Sequence, residues 1–328
     1  MKTEVVKAGP ASRAIERAVE VLREGEPVAL PTETVYGLAA DALNPEAVLK
    51  IFEAKERPRF DPLIIHLPDK SWLERVVNVP TEESEVVARL AKAFWPGPFT
   101  LVLPKRDIVP DITTAGLDTV GVRISAHPVF SGVIRAFGKP LAAPSANRFG
   151  RVSPTRAEHV IYELDGTIPL VVDGGATLHG IESTIVAVRG NEVVVLRRGP
   201  IIEDQFIGLG FETTFDFRNA SRVLAPGQFP SHYAPETPFR LIDDAALFRL
   251  PKGWAVGLLA WKSAPKKYAA VRHLSEEGDL REAAANLFRY IRELDSLNLD
   301  LIVAERVPDK GLGAAIMDRL RRAEGRGH

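Results

Sequence analysis

The chain contains no cysteine, no long apolar run and almost no net charge, and each absence removes a class of function. Without cysteine, disulfides, thiolate nucleophiles and Cys-based zinc sites are excluded together. The chemistry must be that of oxygen and nitrogen. No run of ~18 apolar residues occurs, and Met1 to Pro10, carrying Lys2, Glu4 and Lys7, lacks the apolar centre of a signal peptide. A cytoplasmic protein without membrane contact is expected. The formal net charge of -1 excludes a surface built wholly for nucleic acid, so any RNA contact would be local and weak. Neither a GxGxxG turn after a strand nor GxxxxGK followed by Ser or Thr is present, which leaves no dinucleotide or P-loop signature.

What is present is an ordinary globular composition, 45% apolar and 26% charged over 328 residues, long enough for two cores. Helical periodicity covers Ala14 to Leu22, Asn44 to Ala54, Thr81 to Trp95 and Pro128 to Phe137, and Ser153-Pro154 marks another helix start. Strands are expected at Pro27 to Leu30, Leu63 to Leu67, Phe99 to Leu103, Thr119 to Ile124 and Leu141 to Ala143, with a hairpin from Thr184 to Arg197. Periodicity fades from Ile201 to Pro235, which reads as a linker. Beyond it, strands at Phe239, Val256 and Leu299 alternate with helices at Ala245, Leu280 and Gly313, the pattern of a small open α/β domain.

Several segments place chemistry-bearing groups where strands end. Pro31-Thr32-Glu33-Thr34-Val35-Tyr36-Gly37-Leu38 offers hydroxyls, a carboxylate and a phenol, although a Thr-rich turn over a core tyrosine has the same composition. Lys55, Arg57 and Arg59 lie on a loop stiffened by Pro58 and Pro62, which suits either polyphosphate or solvent. His66 interrupts an apolar strand and is either a satisfied core histidine or a ligand group. Arg123, inside Thr-Val-Gly-Val-Arg-Ile, requires an anion, supplied by a structural carboxylate or by a substrate. Pro144-Ser145-Ala146-Asn147, with Ser153 beyond, has the small groups of an anion nest or of a turn and cap. Gly174-Gly175 and Ile181-Glu182-Ser183-Thr184 repeat that theme, and Arg197-Arg198 adds two cations.

Taken in order, PTETVYGL, KxRxxxxPL with a following His, TVGVR, PSAN, GIESTI and LRRG resemble the YrdC-type threonylcarbamoyl-AMP synthase family. HYAP at His232 to Pro235, followed by a small α/β domain, is similar to its long two-domain members. The resemblance implies a twisted mixed-sheet α/β synthase domain over 10–200, an interdomain linker covering the active site over 201–235, and a Rossmann-like open α/β domain over 236–328. It implies a nucleotidyltransferase that joins L-threonine, bicarbonate and ATP into threonylcarbamoyl-AMP and pyrophosphate. The product would pass to tRNA threonylcarbamoyl transferase machinery, for the adenosine next to the anticodon of ANN-decoding tRNAs. A non-catalytic RNA-binding module and carbamoyl transfer are the competing readings of the same fold.

By the same resemblance, threonine would lie against Thr32, Thr34, His66, Arg123, Ala143 and Ser183. ATP would contact Lys55, Arg57, Asp61, Thr119, Ser145, Asn147, Ser153 and Arg197, with Tyr233 of the linker over the nucleotide. Lys55 and Arg57 would be the catalytic cations. Mg²⁺ is expected with the phosphates, held by substrate oxygens and water, so no protein metal ligand is named. Asp61 stands where many members carry Asn, and the linker has Gln228-Phe229-Pro230-Ser231 in place of the usual basic residues.

Overall fold

The computed structural model describes residues 2–8, 13–217 and 233–325. They fall into two compact units: Met1–Phe149 with Pro154–Thr177 and Glu182–Phe229, and Pro230–His328 with Gly150–Ser153 and Leu178–Ile181.

The first unit is built on strands β1 (Glu4–Lys7), β2 (Val28–Leu30), β3 (Gly37–Asp41), β4 (Ile64–His66), β5 (Phe99–Pro104), β6 (Thr119–Arg123), β7 (Leu141–Ala142), β8 (Leu170–Asp173), β9 (Thr184–Arg189), β10 (Glu192–Arg197) and β11 (Glu212–Phe215). They form one mixed sheet in the order β1-β8-β2-β3-β7-β4-β6-β5-β9-β10-β11. The period-2 alternation of strand side chains divides the apolar residues between cores. Leu38, Ala40 and Val171 join one cluster, and their neighbours Ala39, Leu170 and Val172 join another. Helices form where local signals agree. Asn44 accepts from the Glu46 and Ala47 amides and Pro45 opens the turn, so Pro45–Lys55 starts there. Pro128–Phe137 ends on Gly138 at φ 81°.

Two expectations for this unit change. The helix expected from Ser153-Pro154 runs instead over Ala157–Leu164, because the Pro154 carbonyl accepts the Tyr36 amide at 2.8 Å and holds the chain extended. The stretch expected as linker carries regular structure in its described part. Glu203–Gly208 is a helix and β11 pairs parallel with β10. Phe206 anchors this stretch, fully buried with its ring 5.5 Å from Phe94 and 5.9 Å from Phe99. Residues 218–232, including His232 and Gln228-Phe229-Pro230-Ser231, lie outside the described residues.

The second unit carries the expected open α/β pattern: parallel strands β12 (Phe239–Ile242), β13 (Val256–Ala260), β14 (Ala270–His273) and β15 (Leu301–Glu305), in the order β12-β15-β13-β14. Its helices are Leu280–Asp295, capped by Asp279, and Leu312–Glu324. The helix expected at Ala245 is a single turn, in which the Asp244 side chain accepts the Ala246 amide while Glu305 accepts that of Ala245. β14 had no distinct sequence signal.

Candidate active site

Sheet register assembles the first part of the site. His66 on β4 lies directly opposite Arg123 on β6, and Arg123 lies opposite Thr100 on β5. Directly paired residues point to one face, so three polar side chains form a row across three adjacent strands. Thr100 pairs in turn with Ile185 of β9, and Ser183, two residues earlier, shares its face. The next strand joins through an irregularity. Register shifts between Val195 and Arg197 of β10, setting Arg197 opposite Ile185; such a bulge re-aims a side chain. Arg197 then donates Nε to the Ser183 carbonyl and Nη2 to its Oγ, both at 3.0 Å, while Ser183 Oγ lies 2.8 Å from Thr100 Oγ1.

The turn after β2 packs onto this row. Thr32 Oγ1 accepts the amides of Thr34 and Val35 at 3.1 and 3.2 Å and lies 2.8 Å from Thr34 Oγ1. Arg123 reaches the same turn, donating Nη1 to Thr34 Oγ1 at 3.1 Å, Nη2 to Glu33 Oε1 at 2.6 Å and Nε to the Gly97 carbonyl at 3.1 Å. Ser125 Oγ donates to Glu33 Oε2 at 2.5 Å. Burial would raise the Glu33 pKa, but the Arg123 charge and these donors outweigh it and hold the carboxyl down to about 2. His66 is buried against Phe130, ring centroids 4.5 Å apart, and its Nδ1 has no hydrogen-bond partner. Burial, then the Arg123 charge, lowers its pKa to about 3, against the pull of Glu33. The imidazole is therefore neutral at physiological pH.

A second group gathers at the end of helix Pro45–Lys55, whose C-cap Glu56 turns left-handed at φ 51°. Lys55 is 1% exposed, and its Nζ donates to the main-chain oxygens of Ser145 (2.5 Å) and Asn147. Its own carbonyl accepts the Phe149 amide at 2.9 Å. Burial first, then the Arg57 charge, pushes its pKa well below the usual lysine value, opposed by Asp61 and Glu163. Arg57 folds back on its own loop, with Nε on the Asp61 carbonyl (3.3 Å) and Nη2 on that of Pro62 (3.0 Å). Arg57 Nη2 and Asp61 Oδ2 form a buried ion pair at 2.7 Å, too poorly aligned to satisfy the carboxylate, both of whose oxygens lack a hydrogen-bond donor. Burial raises the Asp61 pKa while Arg57, Lys55 and Arg197 oppose the rise. Lys55 and Arg57, expected as catalytic cations, thus fasten two loops.

The remaining expected residues are placed as follows. Ala143 donates its amide to the Ile64 carbonyl at 3.0 Å and packs against Gly37, where an added Cβ would stand 3.3 Å from Ala143 Cβ. Ser145 bridges to Gly37, and Asn147 Nδ2 donates to the Arg148 carbonyl at 2.7 Å. Thr119 opens β6, at the opposite end of that strand from Arg123. Ser153 is fully buried in the short segment belonging to the second unit. Tyr233, also of the second unit, is 1% exposed, its ring stacked on Phe288 at 5.4 Å with the Arg319 guanidinium 5.3 Å from its centroid. Thr100 and Ser125 escaped sequence reasoning as site residues, and Glu33 reads there only as the carboxylate of its segment, because long-range pairing gives all three their role. Tyr36 is structural, its hydroxyl donating to the Gly175 carbonyl at 2.8 Å and accepting the Gly174 amide at 3.1 Å.

Among the described residues, no three His, Asp or Glu side chains converge to hold a metal ion. Asp61, the carboxylate amid the cations, is paired with Arg57. Among the described residues, no helix is long and apolar enough to cross a membrane.

Comparison with known proteins agrees with the two-part architecture. A family model described as telomere recombination, covering the Sua5, YciO and YrdC group, matches residues 20–199. One described as the threonylcarbamoyl-AMP synthase C-terminal domain matches residues 191–325. Threonylcarbamoyl-AMP synthase of Bacillus subtilis is 41% identical over 325 residues, 95% of this chain and 93% of the relative. That of Pyrococcus abyssi is 41% identical over 323 residues, 95% of this chain and 94% of the relative. The crystal structure of P. abyssi Sua5 complexed with L-threonine is similar at a TM-score of 0.90 and 38% identity, covering 100% of this chain and 98% of that one. With both of its parts matched along their length, the chain belongs to the threonylcarbamoyl-AMP synthase family.

Proposed function

We propose that the chain makes L-threonylcarbamoyl-AMP and pyrophosphate from L-threonine, bicarbonate or CO2 and ATP, acting as a nucleotidyltransferase. The polar row His66, Arg123, Thr100 with Ser183 and Arg197 carries this reading, because it sets an arginine fork, a neutral imidazole and a hydroxyl on one face. Arg123 uses three of the five N–H groups of a guanidinium within the fold. Two remain, one on each terminal nitrogen, for a substrate carboxylate. Thr34, His66 and Ser183 would recognise the hydroxyl and amine of threonine, and Thr32 and Ala143 shape that end.

The nucleotide would lie against the loop of Ser145 and Asn147, with Arg57, Asp61 and Thr119 nearby and Arg197 meeting its phosphates. The threonine amine adds to CO2 with loss of a proton, or displaces water from bicarbonate, and becomes the carbamate. The carbamate oxygen then attacks the α-phosphorus and pyrophosphate leaves, so no covalent enzyme nucleophile is needed. Catalysis by positioning and charge stabilisation suffices for such a step. Bound Mg²⁺ would offset phosphate charge. The product, a labile adenylate, would pass to the tRNA threonylcarbamoyl transferase machinery.

The test is incubation of the full chain with ATP, Mg²⁺, bicarbonate and L-threonine, followed by mass spectrometry. Threonine-dependent pyrophosphate release together with the adenylate is expected; pyrophosphate release that ignores threonine rejects the reading.

A further inference from the structure

We propose that Glu33 is a positioning residue for the amino-acid subsite, aiming Arg123 and biasing the subsite toward zwitterions over simple anions. The inference rests on the reading above that Arg123 takes the substrate carboxylate.

Glu33 is only 5% exposed, and both carboxylate oxygens are held: Oε1 by Arg123 Nη2 at 2.6 Å, Oε2 by Ser125 Oγ at 2.5 Å. Each anchor is itself fixed. Ser125 Oγ also accepts the His127 amide at 3.2 Å, and the turn bearing Glu33 is locked by Thr32 Oγ1 on two amides. A planar guanidinium held at all three of its nitrogens cannot rotate, so its remaining N–H groups keep a fixed direction. That is how a carboxylate without substrate contact would lower the entropy cost of binding.

Charge gives the second half of the inference. Glu33 and Arg123 cancel, and burial holds the two imidazoles beside them, His66 and His127, below the ordinary histidine value. The Arg123–Glu33 pair, of zero net charge, accepts a zwitterion without net change, whereas a bare carboxylate would bring one unbalanced negative charge into low dielectric there. Exchanging Glu33 for a neutral isostere leaves Arg123 unbalanced and reverses that preference.

The test compares steady-state kinetics of wild type, Glu33→Gln, Ser125→Ala and Arg123→Ala, with 3-hydroxybutanoate, which is threonine without its amine, as inhibitor. Glu33→Gln is expected to raise KM for threonine about tenfold and leave KM for ATP within about twofold. Inhibition by 3-hydroxybutanoate, relative to threonine use, should strengthen. Ser125→Ala keeps every charge and serves if Glu33→Gln does not fold; it should raise KM for threonine about threefold with KM for ATP unchanged. If Arg123→Ala raises KM for threonine while Glu33→Gln and Ser125→Ala do not, the positioning role is wrong and the carboxylate reading stands. If Arg123→Ala leaves KM for threonine unchanged, the carboxylate reading itself fails. Equal rises in both KM values with a lower Tm would mean that Glu33 is merely structural.

Discussion

The ammonium of Lys55 rests 2.5 Å from the carbonyl oxygen of Ser145, ninety positions along the chain, and also donates to the Asn147 carbonyl. A fully buried lysine commonly marks either a reactive amine or a strut. Two carbonyl acceptors, and the Phe149 amide on the Lys55 main chain, make this one a strut for residues 145–149. Lys55→Met should therefore loosen that loop before any nucleotide is present. Hydrogen exchange of the nucleotide-free protein is expected to show faster exchange at the Ala146 and Phe149 amides, and KM for ATP should rise at least about tenfold. Unchanged exchange with a raised KM would instead mean direct phosphate contact.

Acid should weaken the fold in two separable stages. His66 falls from 6.5 to about 3 in the folded chain and Glu33 from 4.5 to about 2. In each case the unfolded chain binds the proton more readily, so stability is complete above the ordinary value and is lost as pH falls toward the folded one. Each group contributes a slope of about 1.4 kcal/mol per pH unit within its window. Between pH 6.5 and 4.5 only His66 of this pair acts, and below that both do. Asp61, raised by burial, works in the opposite sense, so the measurement is the difference between each variant and wild type. His66→Gln should flatten the upper window and Glu33→Gln only the lower, as read from urea unfolding at a series of pH values.

The helices and the central strands were legible because their signals are local: a cap and proline at Asn44-Pro45, a glycine stop at Gly138, an apolar run at Leu63 to Leu67. β3 was missed because Gly-Leu-Ala-Ala-Asp has small side chains and no β-branched residue; its strand character comes from pairing with β2 and β7. β11 and the helix before it were hidden in the supposed linker for the same reason, since their support is Phe206 in a distant aromatic cluster. At the site, His66 and Arg123 stood out individually as polar interruptions in apolar strands. That they form one row with Thr100 was not legible, because register is a property of strand pairs. Glu33 meets Arg123 across 90 positions and Thr100 meets Ser183 across 83.

The second unit offers a packing test. Tyr233 holds φ 69°, unusual for a side chain of this size, and its ring contacts Phe288 and Arg319. Tyr233→Ala should weaken this unit by about 3–5 kcal/mol, the range for emptying an aromatic core position. Faster hydrogen exchange in helix Leu280–Asp295 of the full chain is the readout. An unchanged helix would show that the seat contributes little.

The strictest steric demand near the polar row falls on Gly199. A Cβ there would stand 2.4 Å from the Thr184 amide nitrogen and 2.6 Å from the Glu182 carbonyl oxygen, both main-chain atoms that no rotamer change can move aside. Close by, Arg197, two residues earlier in the chain, is joined to Ser183 by a pair of 3.0 Å hydrogen bonds, and a methyl group inserted at Gly199 must push the 182–184 segment away from β10. Gly199→Ala is therefore expected to cost at least the 1–3 kcal/mol typical of overpacking and to lower kcat/KM for threonine and ATP together. That joint loss separates it from Glu33→Gln, whose effect falls on threonine alone. Crystals of the variant should show Ser183 Oγ displaced from Arg197; an intact pair with normal kinetics would mean that the main chain yields here at little cost.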